Sequence, residues 1–309
     1  MTLFSLQAEP SDAQRWLDLA RRCEAAGFDS LLVPDHPGVA ASPFVALAAA
    51  AAVTSTIRLG PYVSNTGVRE PMPLAADVAT LDVISGGRAR LGLGAGHTPA
   101  EWRAVGRERP DVAGRVRRCI AVAVAVQALL GGESVTVDSP ALTVRDALLT
   151  EPRPVQQPIP LTVGTSNTHL LRWAGAHADI VGLSGLGRTH ADGHTHDVRW
   201  RADQIDAQLS RVARGAAGRD TPPRLEALVQ TFAVTDDAAA AVANIAAHSG
   251  LSVDELLATP YVLAGTEEEI VSAITRHERR WGISRYVVRG AALEHAAPII
   301  ARLKDRPTN

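Results

Sequence analysis

Residues 81–102 read LDVISGGRARLGLGAGHTPAEW. Leu74, Val78 and Leu81 share one face of a helix that stops at Ser85-Gly86-Gly87, where glycine can take the left-handed conformation that closes a helix. Residues 88–94 follow as a short buried strand, and Ala95-Gly96 turns into a loop carrying His97, Thr98, Glu101 and Trp102. Small residues at such a junction let backbone approach a ligand while the sheet holds position. A dinucleotide fingerprint is a poor reading of Gly92-Leu93-Gly94-Ala95-Gly96, because the sixth position of G-x-G-x-x-G is His97.

Working outward, strand patterns fall at 3–6, 28–33, 57–64, 88–94, 159–163, 180–183, 225–234 and 283–288, each followed by a helical pattern. Strict alternation calls for a parallel sheet, and eight such units favour a closed (β/α)8 TIM-type barrel with loop insertions at its C-terminal mouth. One domain over 1–309 is the expectation. Ser11 with Gln14, and Thr266 with Glu269, have the spacing of capping boxes. Gly131 to Gln157 reads as an irregular excursion with proline-rich closure.

Composition narrows the function classes. The 309 residues are 46% hydrophobic, 21% charged and only 4% aromatic, with a net charge of -2. Ala, Val and Leu must therefore build the core, and no basic footprint for nucleic acid or membrane lipid is present. The most apolar runs, 43–53 and 120–130, fall short of the roughly 20 residues a membrane helix needs. Cys23 and Cys119 fit reduced core thiols, and the N-terminus has no basic region before an apolar stretch, so a cytoplasmic protein is expected.

Asp35 and His36 end the second strand and so face the same mouth as His97; a histidine there can exchange a proton near neutral pH. The turn Gly164-Thr165-Ser166-Asn167 opens a helix after the fifth strand, which suits either a phosphate or a simple cap by Ser166 or Asn167. His190, His194 and His196 have metal-like composition, but nothing fixes them on one rigid element. A solvated loop or substrate lid is the expectation there, with no metal. Neither a Ser-His-Asp order nor a CxxC motif occurs.

Taken together, GFDSLLVPDH at 27–36, residues 57–102, residues 151–185, and YVLAGTEEEI with GISRYVVRG near the end resemble the luciferase-like monooxygenase superfamily, most closely its branch of deazaflavin F420-dependent oxidoreductases. That resemblance implies a barrel with the cofactor ring at the C-terminal mouth. It makes Asp35 a cofactor contact and His36 a proton-handling residue. A non-prolyl cis peptide behind the ring is implied in Pro61-Tyr62-Val63-Ser64. Ala95 and Ala100 become cofactor contacts in the glycine-rich loop, Gly164 to Asn167 a phosphate turn, and Ser184 a hydroxyl near the cofactor. Sugar-phosphate dehydrogenase relatives carry Glu where this chain has His97, Trp where it has Ala40, and a Lys shortly after the position of Ser184 that is missing here. Glucose-6-phosphate oxidation is accordingly not expected. The resemblance implies hydride transfer between F420 and a small molecule or modified peptide, with His36 or His97 supplying a proton. An FMN-dependent monooxygenase and a non-catalytic cofactor-binding barrel are the alternatives, and a homodimer is common among relatives.

Overall fold

The computed structural model describes residues 1–189 and 196–304. Among these, eight parallel strands close a ring: β1 (Leu3–Gln7), β2 (Ser30–Val33), β3 (Arg58–Pro61, resuming at Ser64–Asn65), β4 (Leu91–Gly94), β5 (Leu161–Gly164), β6 (Ile180–Leu183), β7 (Arg224–Leu228) and β8 (Ile283–Arg289). Each pairs with its successor, as in Leu31 opposite Leu59 and Leu91 opposite Leu161. β8 pairs back onto β1, with Ser5 opposite Val287. The seam between the halves of β3 and β4 is closed by a bridge between Leu59 and Ala89 and by pairing of Ser64 with Leu93. The expected barrel is therefore present.

Eight helices clothe it: α1 (Ala13–Ala25), α2 (Pro43–Ala51), α3 (Pro71–Ser85), α4 (Val112–Leu130), α5 (Thr168–His177), α6 (Ala202–Ala216), α7 (Glu267–Trp281) and α8 (Leu293–Lys304). Helical spacing buries Trp16, Ala20 and Cys23 of α1, and the Trp16 indole donates to the Ala46 carbonyl at 2.8 Å. α3 stops at Gly86, whose φ of 69° is the left-handed conformation expected of the glycine pair. The Thr266–Glu269 capping box forms as its spacing requires. The one at Ser11 does not: Asp12 takes the N-cap, accepting from Arg15 N at 2.9 Å, and Gln14 instead donates to Asp18. Both cysteines are buried free thiols. None of the described helices is long and apolar enough to cross a membrane.

Three segments depart from the periodic reading. The seventh strand ends at Leu228, and Thr231–Val234 leaves the barrel to pair with Val262–Gly265 in a small parallel annex. Gln230 and Thr231 mark the break, but the pattern on either side does not reveal which sheet each half joins. The excursion after α4 contains an antiparallel hairpin, Val135–Ser139 with Leu142–Ala147. A second hairpin, Leu186–Thr189 with His196–Val198, occupies the polar loop after β6.

The barrel interior holds a charged pair. Arg90, just before β4, donates to Glu226 of β7 at 2.5 Å and to Thr162 at 2.8 Å, and both charges are essentially solvent-free. Arg285 also reaches Glu226, at 3.4 Å, and pairs with Asp29. Removing one partner of such a pair strands the other in a low dielectric, which costs about 3–5 kcal/mol. Arg90→Met should therefore lower the urea-unfolding free energy by about that amount. Combining it with Glu226→Leu should recover part of the loss, and purely additive losses would show that the two charges do not depend on each other.

Candidate active site

The mouth is built around the interruption of β3. The Tyr62–Val63 peptide is cis, at the position where the resemblance implied it. Tyr62 is held from both sides, its N–H donating to the Val33 carbonyl at 2.8 Å and its carbonyl accepting from Gln7 Nε2 at 2.7 Å. Val63 then projects among the glycines of the neighbouring strands. A Cβ at Gly94 would sit 2.5 Å from Val63 Cγ2, and one at Gly92 would sit 2.1 Å from the Pro61 carbonyl oxygen. The glycines of LGLG are therefore a packing requirement of this rim, independent of any dinucleotide. Ser64, one residue on, is fully buried, and its hydroxyl has no protein partner.

Asp35 ends the β2 segment as a buried carboxylate with every contact directed into the protein. Its Oδ2 accepts from Asn65 N at 3.0 Å and Arg69 Nε at 2.6 Å, while Oδ1 accepts from Arg69 Nη2 at 2.8 Å. The neighbouring His36 turns outward and places Nδ1 2.8 Å from Glu101 Oε1. Glu101 is only 4% exposed, and its second oxygen accepts from Asn65 Nδ2 at 2.5 Å. Asn65 thus joins the two carboxylates, donating to Asp35 from its backbone and to Glu101 from its side chain. Gly96 has a φ of 67° and leaves room for Asn65, since a Cβ there would lie 2.0 Å from Asn65 Oδ1.

Three histidine rings line up across this rim. His36 and His97 meet edge to face at 5.7 Å between centroids, and His97 meets His196 at 5.0 Å. Their environments differ. The hydrogen bond to Glu101 raises His36 above the ordinary histidine value, against the opposing effect of burial. Burial, with the charges of His196 and His36, pushes His97 down to about 4. Near neutral pH the cluster therefore pairs a histidine biased toward the cation with one held neutral. His190 and His194 lie outside the described residues, and the described ones form no group of three donors arranged for a metal.

The remaining expected site residues surround the same mouth. Ala95 is half-buried and Ala100 exposed. Asn167 caps α5 through His169 N and Leu170 N, and Thr165 Oγ1 accepts from Asn167 N. Ser166 is left facing a cavity of about 320 Å³ between α5 and α6, whose wall includes Thr168, Arg199, Gln208 and Arg211. Gln208 is 5% exposed and its Oε1 has no protein partner. Such a surface fits an anionic group bearing hydrogen-bond donors, so these residues could hold the phosphate end of a flavin-like cofactor. Ser184 Oγ accepts from Leu186 N at 3.2 Å, fixing the start of the second hairpin.

A family model described as luciferase-like monooxygenase matches residues 2–286. The chain belongs to that family. It is 36% identical over 191 residues to an F420-dependent glucose-6-phosphate dehydrogenase of Beutenbergia cavernae, covering 59% of this chain and 55% of the relative. The match thus spans about half the length of that relative. The solved structure of coenzyme F420 dependent tetrahydromethanopterin reductase from Methanopyrus kandleri superimposes with a TM-score of 0.73 at 18% identity, covering 98% of this chain and 99% of that one. The monooxygenase RslO1 of Streptomyces bottropensis does so with a TM-score of 0.77 at 20% identity over 98% and 99%. At these identities the structural matches speak for the fold.

Sequence reading placed Asp35, His36 and His97 at one mouth but assigned no role to Asn65, Arg69, Glu101, Arg199, Gln208 or Arg211. Glu101 was visible as a polar residue in the loop after β4; its pairing with His36, 65 positions away, follows from the closed ring. Replacing Glu101 with Gln removes the charge that favours the His36 cation. The His36 ring should then titrate at lower pH, read from its imidazole proton shifts. An unchanged midpoint would assign the elevation to something else.

Proposed function

We propose that this protein is an F420-dependent oxidoreductase that transfers hydride between C5 of the deazaflavin and an organic small molecule, in the reducing direction to an activated C=C or C=N bond. The observation that carries the reading is the His36–Glu101 pair at the barrel mouth beside a neutral His97. When bound, F420 supplies two-electron hydride chemistry at C5, whereas reduced FMN would supply oxygen chemistry. Glu101 occupies Nδ1 of His36, so Nε2 is the nitrogen left to exchange a proton. His97, held neutral, carries no imidazolium proton to give near neutral pH, which makes His36 the proton donor in reduction. The Val63 rim with Ser64, Ala95 and Ala100 would bear the ring, with Asp35 bracing the rim through Asn65 and Arg69.

The turn from Gly164 to Asn167 would take the cofactor phosphate. Arg199 and Arg211 give the adjoining cavity the charge that suits an acidic tail, which favours F420 over FMN. The F420-dependent dehydrogenase at 36% identity supports the same choice. An FMN-dependent monooxygenase is the second reading, supported by the family model's description as luciferase-like monooxygenase.

Parallel titrations should show F420 binding more tightly than FMN, and tight FMN binding without F420 binding would reverse the assignment. With F420H2 and an activated alkene or imine, His36→Gln should slow reduction by roughly 10²–10⁴-fold. The pH profile has a defined sign. Because His36 is raised, its protonated form persists above the ordinary value of about 6.5 and is lost as pH rises through the elevated midpoint. The rate of reduction should fall across that alkaline limb, and a rate that climbs there would remove His36 as the acid.

A further inference from the structure

Asn65 makes more hydrogen bonds than its place in a two-residue strand requires. Its N–H donates to Asp35 Oδ2 at 3.0 Å, its Oδ1 accepts from Gly67 N at 2.8 Å, and its Nδ2 donates to Glu101 Oε2 at 2.5 Å. Gly67 N can donate only to the amide oxygen, so this bond also decides that the NH₂ group faces Glu101. Both side chains are buried.

The backbone that carries this amide is pinned over the residues that follow. Thr66 N and Oγ1 both donate to the Gly94 carbonyl, at 3.0 and 2.9 Å. The Thr66 carbonyl accepts from Arg118 Nε at 2.8 Å, and the Gly67 carbonyl from Arg107 Nη1 at 2.7 Å. Opposite, Glu101 rides on the short helix Pro99–Ala104 beside Trp102, which is buried so close that a Cβ on Gly67 would stand 2.3 Å from its Cζ2. Two fixed segments therefore face each other through the Asn65–Glu101 bond. A carboxylate turns readily about its last bond, and this amide is what holds it. The charged groups bearing on His36 are Glu101, Asp35 and Glu9, with the His97 ring at its edge. Asp35 gives its oxygens to Arg69 and Asn65, which leaves Glu101 as the carboxylate hydrogen-bonded to the imidazole, at 2.8 Å.

We propose that Asn65 is a positioning residue for the proton donor: its amide holds Glu101 in the orientation that occupies His36 Nδ1 and leaves Nε2 to exchange the proton. The assignment rests on the F420-dependent reading for the reaction that consumes this proton, and on the hydrogen bonds alone for the contact. The requirement is for an amide. An aspartate of the same shape would set oxygen against Glu101 Oε2, and a leucine would supply neither of the side-chain bonds.

The test follows the His36 imidazole protons by NMR as pH is varied, with and without F420, beside the pH profile of F420H2-dependent reduction of an activated alkene. Asn65→Leu keeps the branched shape and removes the amide. Asn65→Ser keeps an oxygen for Gly67 N but is too short to reach Glu101, so it decides the matter if Asn65→Leu does not fold. In each folded variant the His36 midpoint should fall by about one pH unit, a tenfold loss of the cation on the alkaline limb. The alkaline limb of kcat should move with it while KM for the alkene stays the same. Added to Glu101→Gln, Asn65→Leu should move the midpoint no further, because Asn65 acts through Glu101. A midpoint unchanged in a variant with native circular dichroism, or a second full-sized shift in the Glu101→Gln background, would overturn the assignment. A midpoint that shifts as expected in a protein that neither binds nor oxidises F420H2 retains the positioning role and loses the F420 reading.

Discussion

The buried ion pair of Arg90 and Glu226 fixes what can be built above it. Two charges inside a barrel must be mutually satisfied, and Arg90 reaches Thr162 of β5, Glu226 of β7 and, at 3.4 Å, Ser30 of β2 from a position just before β4. One guanidinium thereby ties together strands that are not neighbours in the ring. Its Cζ also lies 6.0 Å from the centroid of the Tyr62 ring, so the charged layer supports the aromatic layer directly. Tyr62 positions Val63, and Val63 fills the space that glycines leave in β4 and β5. The site thus inherits its shape from a polar network several residues deeper.

At the mouth, electrostatics divides the work by position. Asp35 and Arg69 neutralise each other within the wall, which leaves them suited to holding backbone. Glu101 is equally buried but faces a histidine that is 40% exposed at the side chain, so its charge acts at the surface of the site. Among the described residues, His97 has no carboxylate in hydrogen-bond contact and sits between two imidazoles. Side chains of one kind whose ring centroids lie 5.7 Å apart therefore differ in chemistry because one is hydrogen-bonded to a carboxylate and the other is not.

Much of this was legible in the sequence, for physical reasons that also set the limit. Barrel strands are buried on both faces and flanked by glycine or polar turns, so runs such as SLLV at 30–33 and IVGL at 180–183 stand out. Strand ends at one mouth follow from alternation alone, which placed Asp35, His36 and His97 together. Hidden from that reasoning were partnerships spanning distant segments, such as His36 with Glu101 and Arg90 with Glu226. The annex strand Thr231–Val234 escaped because burial pattern does not reveal which sheet a strand joins. Gly92 and Gly94 stood out as small residues that let backbone approach a ligand, and in the structure their smallness answers Val63 and the Pro61 carbonyl.

The hairpin after β6 brings His196 to His97 and leads directly into Arg199, which lines the cavity beside the phosphate turn. None of the hydrogen-bonded pairings that close the eight-strand ring passes through it. The roof of the site is therefore modular with respect to its floor. A change confined to this hairpin would alter what stands over His97 while leaving the strand pairings of the ring in place.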